Sequence, residues 1–361
     1  MAFPADMMPS LIIPADLRKT IDQTIDDHQM ITPKDSVLIA VSGGPDSVAL
    51  ALILAAITQT YRLTLGMVHL NHMLRGDDAS QDELFVKDLA LHLGLPFHGK
   101  QLNVKAHAAT NRLSVEESGR KLRYAFFNQL AQDHGYTKIA TGHTRDDNAE
   151  LVLMNLLRGS GTKGLSGIPP IRQNLYIRPL IRVSKQQLLD LLTRNRQPYR
   201  IDSSNTDPAY LRNRVRNSLI PHLQSDYNPE IVNALDRLSR VMRQEEDYFE
   251  REAQRLFDHC LVEKKDASLV FSKSALALVH PALLSRILRK AIQVLKTDLN
   301  RISMVHMENM IIFCFQDSEG KSLDLPGQIR IYKTRKTIEI KKEDQPLRDI
   351  GKQNKEMRTC L

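Results

Sequence analysis

Ser42, Gly43, Gly44, Pro45, Asp46 and Ser47 stand between two apolar runs, VLIAV (37–41) and VALALILAAI (48–57). A bare reversal from strand to helix needs fewer small and polar atoms than this. Two glycines without Cβ let a ligand come close to the backbone, the serines add hydroxyl donors, and the start of a helix directs its free amides at an anion. The chemistry that fits is binding of nucleotide phosphates. The spacing lacks the Lys of a Walker A loop and the third Gly of a dinucleotide fingerprint. Asp46 is the informative departure, because a carboxylate beside phosphates repels them unless a cation lies between, which points to Mg²⁺ held with the nucleotide at Asp46. The competing reading is a plain Gly-Gly turn with Asp46 as a helix N-cap.

Two further clusters carry reactive groups. In TGHTRDDNAELVLMNLLRG (141–159), Thr144 is placed to cap a helix whose first turn holds Asp146 and Asp147, with Glu150 one turn later on the same side. Capping alone does not require three acids, which suit a cation or an ammonium-bearing substrate. His143 is placed to touch phosphate or base, against the alternative of a satisfied structural histidine. In VHLNHMLRGDD (68–78), His69, Asn71, His72 and Arg75 leave a second strand. A transition-metal site is disfavoured there relative to contacts with nucleotide or pyrophosphate. Arg120 and Arg123, three apart, share a helix face and suit a phosphate clamp or partners for the crevice acids.

The elements that must position these groups follow a βα rhythm. Strands are expected at 37–41, 63–69 and 137–141, with helices at about 46–59, from Ser80 as N-cap to Gly94 as stop, and from Ser114 to about 133. Alternation of this kind implies an α/β fold with a parallel sheet, whose ligands bind at the carboxyl ends of the strands. The ends near 41, 69 and 141 are therefore expected to face one crevice. Four regions are expected: an N-terminal extension (1–30) with a short amphipathic helix, the catalytic domain (31–225), a smaller α+β domain of helices and a β-hairpin (226–342), and a polar, mobile tail (343–361).

Composition narrows the partners. The 361 residues carry a net charge of +8, a mild pointer to a polyanion. From Arg158 to Arg216 arginines and lysines far outnumber acids, the footprint of a phosphate backbone, with Arg158, Arg212, Arg214 and Arg216 as the candidates. On a strand the last three would share one face, and on a helix they would spread. Cys260, Cys314 and Cys360 are scattered and odd in number, which argues against a disulfide framework or a zinc site and for a reducing cytoplasm. No membrane span or export signal is expected.

SGGPDS resembles the S-G-G-x-D-S loop of the PP-loop ATP pyrophosphatases, which split ATP between the α- and β-phosphates. Within that superfamily four further blocks are similar to the tRNA(Ile)-lysidine synthases: 68–86, RKLRYAFF (120–127), 140–170 and IDSSNTDPAYLRNRVRNSLIPHL (201–223). Asn148 stands where that family usually has Gln, and Gly119 where it usually has Ala. The resemblance implies a Rossmann-like PP-loop domain that uses ATP and Mg²⁺ to join L-lysine to C2 of the wobble cytidine in a CAU-anticodon isoleucine tRNA. It further implies an ATP loop at 42–47; Asp147, with Asp146 and Glu150 as alternates, is the candidate for substrate-side chemistry, and Asp46 and His143 are further catalytic candidates. Oligomeric state, including a homodimer, stays open. The alternatives are a tRNA 2-thiolase, which would need cysteines that the catalytic domain lacks, and a non-catalytic RNA- or nucleotide-binding module.

Overall fold

The computed structural model describes residues 11–73, 77–201, 210–316 and 321–345. Two compact units divide the chain, 1–243 and 244–361. The first carries the βα rhythm, with strands β1 (Ser36–Ala40), β2 (Thr64–Asn71), β3 (Phe97–Gln101), β4 (Lys138–Thr141), β5 (Ile171–Arg172) and β6 (Tyr176–Ile177) in the order β3-β2-β1-β4-β6-β5. β1 pairs in parallel with β2 on one side and with β4 on the other, so the order reverses at β1. Only the two-residue β5 runs antiparallel to its neighbour. The carboxyl ends of β1, β2 and β4 therefore open on one edge, the crevice expected from the sequence.

Helices cover the sheet: α1 (Ala15–Asp27), α2 (Pro45–Tyr61), α3 (Asp77–His92), α4 (Val104–Asn111), α5 (Val115–His134), α6 (Arg145–Leu157), α7 (Thr162–Leu165) and α8 (Lys185–Arg194). The unbroken apolar run of α2 buries every residue from Ser47 to Leu54, as a helix enclosed on all sides must. α1 places Leu17, Ile21 and Ile25 in the same core. Ser114 caps α5 by accepting the Glu117 amide at 3.1 Å, as its spacing predicts. Ser80 does not cap α3, which begins three residues earlier, at Asp77; Glu83 instead accepts hydrogen bonds from Asn71 (3.1 Å) and Gln101 (2.8 Å). Short helices α9 (Leu211–Arg214) and α10 (Ile220–Asp226) flank one π-helical turn, Val215–Leu219, before the long helix α11 (Ile231–Cys260).

The second unit is an antiparallel sheet with helices. Strands β7 (Leu261–Lys264), β8 (Ser268–Ser272), β9 (Ser322–Leu325), β10 (Ile329–Lys333) and β11 (Thr337–Lys342) take the order β7-β8-β11-β10-β9, with α12 (Lys273–Ala277), α13 (Pro281–Lys296) and α14 (Met304–Phe315). The segment read as a hairpin is a three-stranded meander, because the two-stranded reading overlooked the short turn at 326–328. Its inward rows, Ile329 and Ile331 with Ile338 and Ile340, are fully buried with Phe271, Ile287 and Cys314. Of the expected tail (343–361), Glu343 is buried and accepts the Tyr332 hydroxyl at 2.6 Å, and residues 346–361 lie outside the described residues.

Candidate active site

The loop after β1 is shaped by its own small side chains. Ser47 donates its hydroxyl to the Gly44 carbonyl (2.9 Å) and accepts the Ser42 amide (3.1 Å), while the two serine hydroxyls lie 3.2 Å apart. Gly43 holds φ +93°, a conformation closed to most L-residues. A Cβ at Gly44 would meet nothing nearer than Ser42 Oγ at 3.6 Å, so the face over this glycine is open to a ligand. Pro45 occupies the first helical position, where its missing amide costs nothing. Gly142 presses the β4 loop against this turn: a Cβ there would lie 3.1 Å from the Asp46 backbone. Arg200 braces the loop from outside, its amide donating to the Gly43 carbonyl (2.9 Å) and its Nε to Asp82 (2.9 Å).

Asp46 is half-buried and makes no hydrogen bond or ion pair among the described residues. Burial pushes its carboxyl up to about 6, with Asp147 adding repulsion and Lys185 opposing. A hard oxygen ligand beside the open face of Gly44 fits a divalent ion such as Mg²⁺.

Across the crevice, α6 opens with a full capping box. Asp147 Oδ2 accepts the Thr144 amide (2.9 Å) and hydroxyl (3.0 Å), while the Asp147 amide donates back to Thr144 Oγ1 (3.3 Å). Asp147 therefore completes the cap with one oxygen and leaves the other to face cationic side chains. Oδ1 faces Lys185 Nζ (3.0 Å), Arg212 (3.0 Å) and Arg216 (3.2 Å). Glu150, one turn on and 1% exposed, receives Arg216 Nε at 2.6 Å, Arg212 Nε at 2.8 Å and Lys185 Nζ at 3.5 Å. These cations hold the Asp147 carboxyl well below the usual range despite its burial, and lower Glu150 as well. Asp146 turns elsewhere, accepting the Lys185 amide at 2.9 Å.

His143 lies 2.9 Å from Thr141 Oγ1, and burial together with Arg178 pushes its pKa down to about 4, so it is neutral at physiological pH. His69 is buried, donating Nδ1–H to the Val41 carbonyl at 2.9 Å. Asn71 bonds Glu83, Ala79 and Met73, a set that shapes the loop after β2. Arg123 donates to His72 Nε2 (3.0 Å), whereas Arg120 and Arg172 lie over the Tyr124 ring at 5.2 and 4.9 Å. Arg75 lies outside the described residues. Arg212 and Arg216, four apart on one helical face, turn to the acids, while Arg214 and Arg158 are exposed.

Lys185 was legible only as one charge in a basic run. Its signal is the box Ser184-x-x-Gln187, which makes it the first residue of α8 and aims its side chain at α6. Asn148 is fully buried and ties α6 to Ser239 (2.8 Å), Asp236 (3.2 Å) and the Ile168 amide (2.8 Å), a structural role. At Gly119 an added Cβ would meet only ordinary contacts at 3.6–3.8 Å, so Ala fits there equally.

A parallel sheet that reverses order at β1, with a Gly-Gly turn and carboxylates at its open edge, is a nucleotide-binding PP-loop domain, and residues 15–223 match the family model of that description. The tRNA(Ile)-lysidine synthase of Clostridium acetobutylicum is 34% identical over 331 residues, covering 91% of this chain and 70% of that one. Those of Clostridium tetani and Geobacter sulfurreducens are 36% and 37% identical, with 85% and 84% of this chain and 65% and 64% of theirs. The chain belongs to the tRNA(Ile)-lysidine synthase family and spans about two thirds of the length of these relatives. A U34-tRNA thiolase of Methanococcus maripaludis shares the fold, with a TM-score of 0.51 at 18% identity over 63% of this chain and 79% of that one.

Proposed function

We propose that this chain joins L-lysine to C2 of the wobble cytidine of a CAU-anticodon isoleucine tRNA. As a member of its family it is an ATP-using ligase that modifies tRNA; lysine, the anticodon and Mg²⁺ are what the proposal adds. The C2 carbonyl oxygen attacks the α-phosphorus of ATP and pyrophosphate leaves. The ε-amine of lysine then attacks C2, AMP departs with the former carbonyl oxygen, and the amine loses its proton. Adenylation turns an oxygen that will not leave into one that will.

The loop 42–47 would receive the phosphates on its open glycine face and its helix N-terminus, stabilising the charge that grows on departing pyrophosphate. Asp46 would hold Mg²⁺, which neutralises phosphate charge. The observation that carries the lysine assignment is Lys185, whose ammonium sits 3.0 Å from Asp147 and 3.5 Å from Glu150: the pair already accepts a lysine head group. A substrate ammonium would compete with Lys185, Arg212 and Arg216 for the same oxygens. His143, neutral and two residues past β4, would touch the ribose or base.

The thiolase alternative lacks its chemistry here, because no cysteine occurs before Cys260. The proposal predicts pyrophosphate release from ATP that depends on the isoleucine transcript, followed by lysine-dependent AMP release. Pyrophosphate release unaffected by tRNA would contradict it. A protein of the setting proposed works in the cytoplasm; among the described residues no helix is long and apolar enough to cross a membrane.

A further inference from the structure

Away from the crevice, the first unit carries an open groove of about 450 Å³ between the end of α6 and the α9–π–α10 segment. Leu211, Val215 and Leu219 form one row of its wall, Arg214, Ser218 and His222 the next, and Leu157 of α6 closes it. Both rows follow the i, i+4, i+8 spacing of a helix side, and the π turn at 215–219 widens the helix where the rows pass. The same helix thus has two uses: Arg212 and Arg216 face Asp147 and Glu150, while Arg214 faces the groove.

We infer that this groove takes an unpaired nucleobase of the bound tRNA, outside the reacting position; the inference rests on the proposed function. The open volume, about 450 Å³, leaves room for one base laid against the wall. Its walls are apolar, and its rim offers a guanidinium plane and an imidazole, the surfaces on which splayed-out bases stack. The charge is complementary to RNA. Arg214, and Arg158 next in sequence to Leu157, are exposed and make no ion pair among the described residues, and no carboxylate lines the groove. The nearby acid, Asp226, is engaged with His222 Nδ1 at 3.2 Å, and Tyr227 packs edge-on to that ring at 5.7 Å. Leu157 and Tyr210 are 61% and 56% exposed, an apolar surface that an RNA loop would cover.

The test compares wild type, Ser218→Trp, which fills the groove, and Arg214→Ala, which removes its cation. Filter binding of the isoleucine transcript at fixed salt and binding of ATP are measured for each. A 4-thiouridine-substituted transcript is then photo-crosslinked and the attached peptide identified. The inference predicts transcript affinity at least about tenfold weaker in both variants, ATP affinity unchanged, and a wild-type crosslink within 211–222 that Ser218→Trp abolishes. Equal affinities with no such crosslink would overturn it while leaving the proposed function standing. A wild type that binds no transcript would overturn both. A Ser218→Trp protein altered in sedimentation, with unchanged RNA affinity, would assign the groove to contact between copies of the chain and overturn the inference as well.

Discussion

Glu150 and Arg216 form a two-point ion pair, Nε on Oε1 at 2.6 Å and a terminal nitrogen on Oε2 at 2.9 Å, with the carboxylate sealed from solvent. Arg216 holds Glu150 ionised in a place where burial alone would neutralise it.

Removing one member of such a pair strands the other. Glu150→Ala is expected to lower folding stability by about 3 kcal/mol, the lower end of the range for a broken buried pair, because Arg212 is 46% exposed and regains some hydration. Urea unfolding measures it. A loss within error of zero would mean the three cations are already solvated.

The two glycines of the turn separate folding from binding. Gly43→Ala must adopt φ +93° and is expected to cost roughly 1–3 kcal/mol of stability. Gly44→Ala, at an ordinary φ of −72° and with open space above it, is expected to fold normally and to raise the KM for ATP, since the new methyl occupies the phosphate face. Thermal unfolding and ATP titration of both variants check the contrast.

Asp46 and Asp147 give opposite pH dependences. The folded pKa of Asp46, about 6, lies above its ordinary 3.8, so the folded state keeps the proton longer and stability contributed by this group is lost as pH rises through that window. Asp147 is depressed, so its contribution is present above 3.8 and is lost as pH falls through its folded value. Asp46→Asn is expected to gain stability relative to wild type between about pH 4 and about pH 7, and Asp147→Asn to flatten the acid limb. Unfolding followed across pH without divalent ions measures both.

Lys185 is expected to matter for turnover. Lys185→Met removes the ammonium shared by Asp147 and Glu150 and is expected to lower kcat by about 10²-fold with the fold retained. Steady-state kinetics beside a circular dichroism spectrum checks this, and full activity in the variant would remove Lys185 from the site.

Much of this site was legible because its residues are local in sequence. The turn at 42–47 and the cap at 144–147 each lie within six residues and carry their own geometry. Lys185, Arg212 and Arg216 were not legible as partners of Asp147, since they reach α6 from 38 or more residues away and only the packing of the first unit brings them together. The same limit hid Asn148, whose partners Asp236 and Ser239 sit on α11. Strands β7 and β8 are short, largely polar on one side, and were masked by the long amphipathic helix before them. The start of α3 at Asp77, ahead of the perfectly spaced Ser80 and Glu83, shows a local cap signal overridden when Glu83 is drawn to Asn71 and Gln101.

Lysine transfer is measured by incubating the protein with ATP, Mg²⁺ and radiolabelled lysine, separately with CAU-anticodon isoleucine and methionine tRNA transcripts, and counting label in RNA. Stable, ATP-dependent label is expected in the isoleucine transcript alone, abolished by Asp147→Ala. Label in neither transcript while pyrophosphate is released, or equal label in both, would contradict it.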